Sequence, residues 1–410
     1  MKKDIFELSI TKELPYSELL VKKPEYRQLV TFKENKKKPI YNWFYYKEGF
    51  SPELVINLLE KLEIKKGSDI LDPFCGTGNT LLACKENGYN AIGFDILPLS
   101  VFVSNTKLQR DYDTEKLRNA IKNITQIKFG EPKIKWPKLW FLSIDAVFSR
   151  YAREDLLFFK EKILQVKDEK IRNFLFLGLL SIVGEASNTK KDGGVIRIVK
   201  KKHLAPVRYL LKNRLKRMYK DIKRLNPKEN ELKVEAKVGD AKFLDITEKF
   251  DACITSPPYL NFVDYTKLYG LELALFLNDN KEVEDVRKNA IRSFICADTE
   301  LKGKVNSEVL YKSLSKIKEK PKIVECYFYD MQLAMCSIFN ALKKKGKAAI
   351  VIGNTCLPEI TIDCDLILAE ISEKIGFKVK EIWVANARWC TVNGIKKEKP
   401  VRESILILEK

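Results

Sequence analysis

Seven short apolar runs punctuate an otherwise mixed chain, and each has the length of a buried strand. They are Asp69–Phe74, Asn90–Ile96, Glu235–Ala241, Asp251–Ser256, Lys347–Asn354, Val379–Asn386 and Glu403–Glu409. Helix-length segments separate most of them, and strands alternating with helices build a parallel sheet covered on both faces. The last two runs leave no room for a crossover helix. The pattern therefore predicts an α/β sheet of seven strands, closed by an antiparallel hairpin whose loop runs from Arg388 to Pro400.

The rhythm breaks between the second and third runs. Residues 111–230 read as an inserted, mostly helical element, with residues 1–110 and 231–410 forming one catalytic domain around it. A second irregular stretch, 278–322, is lysine-rich and reads as an accessory loop. At 410 residues, one large domain with an insertion is a reasonable size. The apolar stretch Phe174 to Val183 is too short to span a bilayer and reads as a buried helix. Nine scattered cysteines without a CxxC pair, and His203 as the sole histidine, point away from a disulfide framework or a metal site. The start of the chain lacks an apolar signal core, so a cytoplasmic location, in a reducing compartment, is expected.

Charge changes this picture. Lys+Arg 75 against Asp+Glu 55 gives +20, and residues 190–224 hold 14 Lys and Arg against two acids, +12 of that excess. Leu211, Leu215, Met218, Ile222 and Leu225 recur at helical spacing inside this segment, with basic residues elsewhere around the helix. Before it, a glycine-bearing loop carries Lys190, Lys191, Arg197 and Lys200, Lys201 and Lys202, and Arg214 follows on the helix. A solvated basic face is the plain reading. Concentrating over half the excess charge in one insert favours nucleic acid, with these residues on phosphates or base edges.

Two local motifs carry chemistry. Asp72-Pro73-Phe74-Cys75-Gly76-Thr77-Gly78-Asn79-Thr80 follows the first strand and opens a helix. Gly76 and Gly78 allow a tight turn and close approach of a ligand. Asp95 lies 23 residues beyond Asp72, near the spacing expected of a carboxylate on ribose hydroxyls, and Ile96 follows it. Leu81 replaces the third glycine of a nicotinamide fingerprint. An acid at the turn suits a ligand bearing an amine and a sulfonium, such as S-adenosyl-L-methionine, and would repel a pyrophosphate. Asp240 and Ala241 end another strand, where the acid could accept from an adenine amino group. Upstream, Phe50-Ser51-Pro52 reads as a helix start with Ser51 as N-cap. The aromatic cluster before it, Trp43 to Tyr46, either walls a cofactor pocket or fills the core.

The second motif, Thr255-Ser256-Pro257-Pro258-Tyr259, leaves the strand Asp251–Ile254. Consecutive prolines hold it extended at the carboxyl edge of the sheet. The Ser256 hydroxyl and the Pro257 carbonyl are adjacent acceptors, matched to the two hydrogens of an amino group. Tyr259 offers a face on which an extruded base could stack. No Pro-Cys dipeptide occurs, which argues against methylating a ring carbon through a cysteine adduct.

Both motifs resemble those of amino-group (cytosine-N4 / adenine-N6) S-adenosylmethionine-dependent DNA methyltransferases of restriction–modification type. The resemblance implies a Rossmann-like methyltransferase sheet with a helical basic insertion acting in target recognition. It also implies S-adenosyl-L-methionine as cofactor, double-stranded DNA as partner and no metal. Asp72, Pro73, Phe74, Gly76, Gly78, Thr80, Asp95, Ile96, Asp240, Ala241, Phe50 and Ser51 would then bind the cofactor, and Ser256, Pro257, Pro258 and Tyr259 the reacting amine. A serine opening the second motif is commonest among cytosine-N4 enzymes, so site-specific transfer to cytosine N4 is expected. Adenine N6 and the guanine N2 of RNA are the alternatives. A cognate restriction endonuclease would act on the same site without forming a stable complex.

Overall fold

The computed structural model describes residues 4–10, 14–137, 139, 141–199, 201, 203–224, 232–277, 280–294, 298–318, 321–357, 360–392, 395–396 and 400–410. The sheet strands are β1 (Leu20–Lys22), β2 (Asp69–Asp72), β3 (Asn90–Asp95), β6 (Val234–Val238), β7 (Phe250–Thr255), β8 (Leu342–Gly353), β9 (Lys378–Arg388) and β10 (Val401–Glu409). Two more, β4 (Thr189–Asp192) and β5 (Val195–Ile198), form a separate hairpin in the insertion. The main sheet runs β1-β9-β10-β8-β7-β2-β3-β6. Strands β6, β3, β2, β7 and β8 are parallel, while β10 pairs antiparallel with both β8 and β9.

All seven sequence runs are strands, and the final hairpin is antiparallel as its short connection requires. The boundaries moved where propensity and pairing disagree. The run expected to reach Ala241 stops at Val238, because Asp240 accepts from the Lys242 amide and starts a 3-10 turn. Conversely, β8 begins five residues early, taking in Lys343 to Lys345, whose side chains reach water or Asp251. The three-residue β1, too short to show a pattern, adds an edge strand parallel to β9.

Period-2 alternation of the central strands divides the core. Ile70, Ala252, Ile254, Ala349 and Val351 face one layer. Leu71, Cys253, Ala348, Ile350 and Ile352 face the other. The second layer is closed mainly by two helices, Lys322–Ala341 and Cys364–Ile375.

The first layer holds α1 (Pro52–Lys61), α2 (Asn79–Glu86) and α3 (Pro98–Leu108), then α4 (Thr114–Gln126), α5 (Arg150–Leu164), α6 (Glu169–Leu180) and α7 (Val207–Arg224) of the insertion. Leu117, Phe159, Leu177 and Leu215 belong to the same buried cluster as Leu81 of α2. The insertion thus packs onto the sheet layer and shares its core. The expected basic helix is α7, with Leu211, Leu215, Met218 and Ile222 buried; Leu225 lies outside the described residues. Phe174 to Leu180 are buried in α6. Within 278–322 the described residues include helices Asn280–Asn289 and Glu308–Leu314. Among the described residues, no helix is long and apolar enough to cross a membrane.

Candidate active site

Strands β2, β3, β6 and β7 all end at one edge of the sheet, at Asp72, Asp95, Val238 and Thr255. Parallel strands present their carboxyl ends together, so the loops that follow converge there. They enclose a cavity of about 660 Å³. Asp72, Gly76, Asp95 and Asp240 line it, and so do Ser256, Pro257, Pro258 and Tyr259. The glycine turn and the double-proline loop open onto one space. A buried hydrogen bond joins them directly: Thr255 Oγ1 donates to Asp72 Oδ1 at 2.6 Å.

The turn owes its shape to close packing. Gly76 and Gly78 have φ of +50° and +76°, where a side chain is strained. A β-carbon on Gly76 would sit 2.9 Å from the Tyr46 ring, and one on Gly78 would sit 2.8 Å from Ser104 Oγ. Helix α3 holds the turn from behind. Ser104 Oγ donates to the Gly76 carbonyl at 3.0 Å, and the buried Lys107 Nζ donates to the Thr77 carbonyl at 3.1 Å. Asp95 accepts from the Gly76 amide at 2.9 Å and the Leu97 amide at 2.8 Å.

Electrostatics point to a cationic ligand. Burial pushes the Asp72 carboxyl up to about 6 and Asp95 up to about 7, against the hydrogen bonds each accepts. Burial also brings Lys107 down to about 7. Two desolvated carboxyls facing a cavity favour a positive charge between them. The buried Thr77 Oγ1 and Asn79 Oδ1 have no hydrogen-bond partner in the protein, and both residues line the same space. Carboxyls for an amine and a sulfonium, and spare polar atoms at the turn, fit S-adenosyl-L-methionine.

Phe50, Pro73, Phe74, Thr80, Ile96 and Ala241 line the cavity as well. Ser51 and Gly78 do not. Ser51 is wholly buried and caps α1, its Oγ accepting from the Leu54 amide at 3.3 Å, so it positions the wall rather than forming it. The aromatic cluster serves both of its expected purposes: Trp43 and Phe44 are core, and Tyr46 lines the cavity.

The catalytic loop is pinned at its far end. Tyr327, buried on the helix Lys322–Ala341, donates to the Pro258 carbonyl at 2.9 Å. Ser256 and Pro257, just before this anchor, line the cavity. Tyr259 lies against Gly353, where a β-carbon would be 2.7 Å from its ring, and its hydroxyl donates to Glu403 at 3.1 Å. Burial holds Glu403 above the usual carboxylate range, opposed by Asn386, Tyr259 and the nearby Arg388. Glu403 and Arg388 both line the cavity, as do Tyr265 and Gly194. Sequence reasoning missed all four. Glu403 and Arg388 sit in the C-terminal hairpin, far from either motif, and only the strand order brings them to this edge.

The basic candidates separate into two groups. Lys191 pairs with the buried Glu272 at 2.9 Å and lies 3.8 Å from the Tyr269 ring centroid. Arg214 bonds Glu185 at 2.6 Å and the Asn42 carbonyl at 3.4 Å, and Lys201 donates to the Gly184 carbonyl at 3.1 Å. These three brace the fold. Lys190 and Arg197 stand exposed on the β4–β5 hairpin, Arg197 beside Asp192 at 3.3 Å. Lys200 and Lys202 lie outside the described residues. Among the described residues no cluster of side chains could hold a metal.

Comparison with known proteins identifies the family. A family model described as DNA methylase, covering N6 and N4 enzymes, matches residues 10–101, which include the glycine turn. The type II methyltransferase M.BsoBI of Geobacillus stearothermophilus is 32% identical over 88% of this chain and 83% of its own. M.AvaI of Nostoc sp. is 28% identical over 87% of this chain and 83% of its own. M.MvaI of Kocuria varians, also a type II methyltransferase, is 23% identical over 83% of this chain and 82% of its own. This chain belongs to the type II DNA methyltransferases of the N6/N4 amino-group family, and its cofactor is S-adenosylmethionine.

Proposed function

We propose that this chain transfers a methyl group to the exocyclic N4 of cytosine in duplex DNA, by direct attack of the amine of a flipped base. The observation that carries the reading is the shared cavity: residues of the glycine turn and of the Ser256-Pro257 loop line it together, tied through Thr255 and Asp72. S-adenosylmethionine, when bound, supplies an electrophilic methyl on a sulfonium. Asp72 and Asp95 are placed to hold its positive and hydroxyl groups, and Gly76 to admit it closely.

On the opposite side, the Ser256 hydroxyl and the Pro257 carbonyl accept the two N–H bonds of the target amine. That orients the nitrogen lone pair and favours the geometry it adopts as it attacks. The Tyr259 ring, braced by Gly353 and Glu403, stacks on the base. The proton leaves the nitrogen after attack, so no covalent enzyme intermediate is needed. Support for cytosine comes from Ser256, whose neutral hydroxyl stands where adenine enzymes of the family usually place an aspartate or asparagine. The exposed Lys190 and Arg197 are placed to seat the DNA backbone.

The test is mass analysis of nucleosides after incubating duplex DNA and, in parallel, RNA with the protein and labelled cofactor. Label in 4-methylcytosine is expected. Label in 6-methyladenine would move the reading to adenine N6, and label only in RNA would overturn it.

A further inference from the structure

The β4–β5 hairpin has a packed face and an open one. Directly opposed residues of an antiparallel ladder share a face, and alternate pairs point to opposite sides. Thr189, Lys191 and Ile196 turn inward: Thr189 is buried, Lys191 is held by Glu272, and Ile196 packs against the core. The open face carries Lys190, Asp192, Val195 and Arg197. Lys190 sits directly across from Arg197, and like charges in that arrangement destabilise a ladder, which Asp192, 3.3 Å from Arg197 on the same face, offsets in part. Val195, at the turn, leaves 52% of its surface in water. In water the exposed Val195 is unfavourable, and the face keeps an excess of positive charge. Against a polyanion, the opposed cations become an asset.

The tip of the hairpin is also a wall of the catalytic cavity. Gly193 and Gly194, the two residues before Val195, line it. Lys47 Nζ donates to the Gly193 carbonyl at 3.0 Å, and a β-carbon on Gly194 would lie 2.4 Å from Val263, just beyond the catalytic loop. The tip is thus fastened to the wall of the cavity, between Lys47 and Val263.

We infer that this hairpin is a wedge for duplex DNA: Lys190 and Arg197 sit on phosphates beside the target, and Val195 enters the stack where the flipped base has left. The inference rests on the reading that the chain methylates a flipped DNA base. A base drawn into the cavity leaves a gap in the duplex, and unstacking opposes its extrusion. An apolar side chain fills that gap without needing hydrogen-bond partners and slows the return of the base. The charge of the open face fits a phosphate backbone, and its place at the cavity rim fits a function beside the target.

Sequencing DNA methylated by the wild-type protein first locates its sites. Methyl transfer is then measured with Val195→Ala and Val195→Ile on two duplexes, one fully paired and one with the target base opposite an abasic position. Because an unpaired base is easier to extrude, V195A should be about tenfold slower on the paired duplex and within about twofold of wild type on the abasic one. V195I should match wild type on both, and all three proteins should melt together. Equal rates for V195A and wild type on paired DNA, or an equal loss on both duplexes, would overturn the wedge. Should the wild-type protein transfer no methyl to any duplex, the underlying reading falls, and the wedge with it.

Discussion

The two sides of the cavity are built on different principles. On the cofactor side the working groups are buried and come mostly from one strand–turn–helix–strand unit: Asp95 is fixed by the Gly76 and Leu97 amides, and Asp72 by the Phe74 amide and the Thr255 hydroxyl. On the DNA side the working groups arrive from four distant segments: the Ser256 loop, the 193–194 tip, Arg388 and Glu403. A small, constant ligand can be bound by one strand–turn–helix unit. A base presented by a long duplex needs a rim assembled from many parts, and such parts can vary without disturbing the cofactor. Exposed charge follows the same division, since the basic insertion uses several cations to brace itself and presents others to solvent.

The comparison is broken most sharply by separating binding from turnover. Ser256→Ala removes one acceptor from the amine while leaving the carboxyls and the turn untouched. Turnover should fall by about 10²–10³-fold, the usual cost of deleting one positioned partner of a reacting group. Cofactor affinity by calorimetry should stay within about twofold of wild type. Asp72→Asn should do the reverse first, weakening the cofactor. A Ser256→Ala protein that turns over normally would remove the hydroxyl from the chemistry.

The next effect is pH-dependent and belongs to the cofactor side alone. With Asp72 near 6 and Asp95 near 7, both carboxyls carry protons in mildly acidic solution. A sulfonium ligand requires them ionised, so S-adenosylmethionine should bind more tightly as pH rises from about 5.5 to 7.5, with proton release. S-adenosylhomocysteine, which lacks the sulfonium charge, should gain less. Stability of the ligand-free protein has the opposite sign there. Carboxyls with raised folded pKa hold more protons folded than unfolded, so their contribution declines as pH rises from about 4 to 7. Lys107, lowered to about 7, takes up protons more readily unfolded, so its contribution grows from about pH 7 to 10. Together these groups place a shallow minimum of melting temperature near neutrality. A cofactor affinity flat across this window would show that neither carboxyl faces the cation.

The same division governs what could be read from the chain. The strand runs and the glycine turn were legible because their signals are local: period-2 burial, positive-φ glycines, and the Ser51 cap found where serine precedes proline. Glu403 and Arg388 were not, because strand order brings them to the cavity from distant parts of the chain. Charge was legible in amount but not in use. Lys191 and Lys190 are neighbours in sequence, yet the alternation of β4 turns one onto Tyr269 and Glu272 and the other into solvent.

That last contrast gives the smallest and most discriminating measurement. Arg214, with its side chain 14% exposed and bonded to Glu185 and Asn42, is structural. Arg214→Ala should cost about 1–2 kcal/mol by leaving those partners unmatched, read as a lower denaturant midpoint. Lys190→Ala and Arg197→Ala should change stability by no more than about 0.5 kcal/mol, as exposed substitutions do. Each should instead reduce the slope of log affinity for duplex DNA against log salt by about one, the signature of a lost phosphate contact. An unchanged slope for both exposed variants would assign the open face of the hairpin to solvent, and the DNA backbone would have to run across another part of the rim.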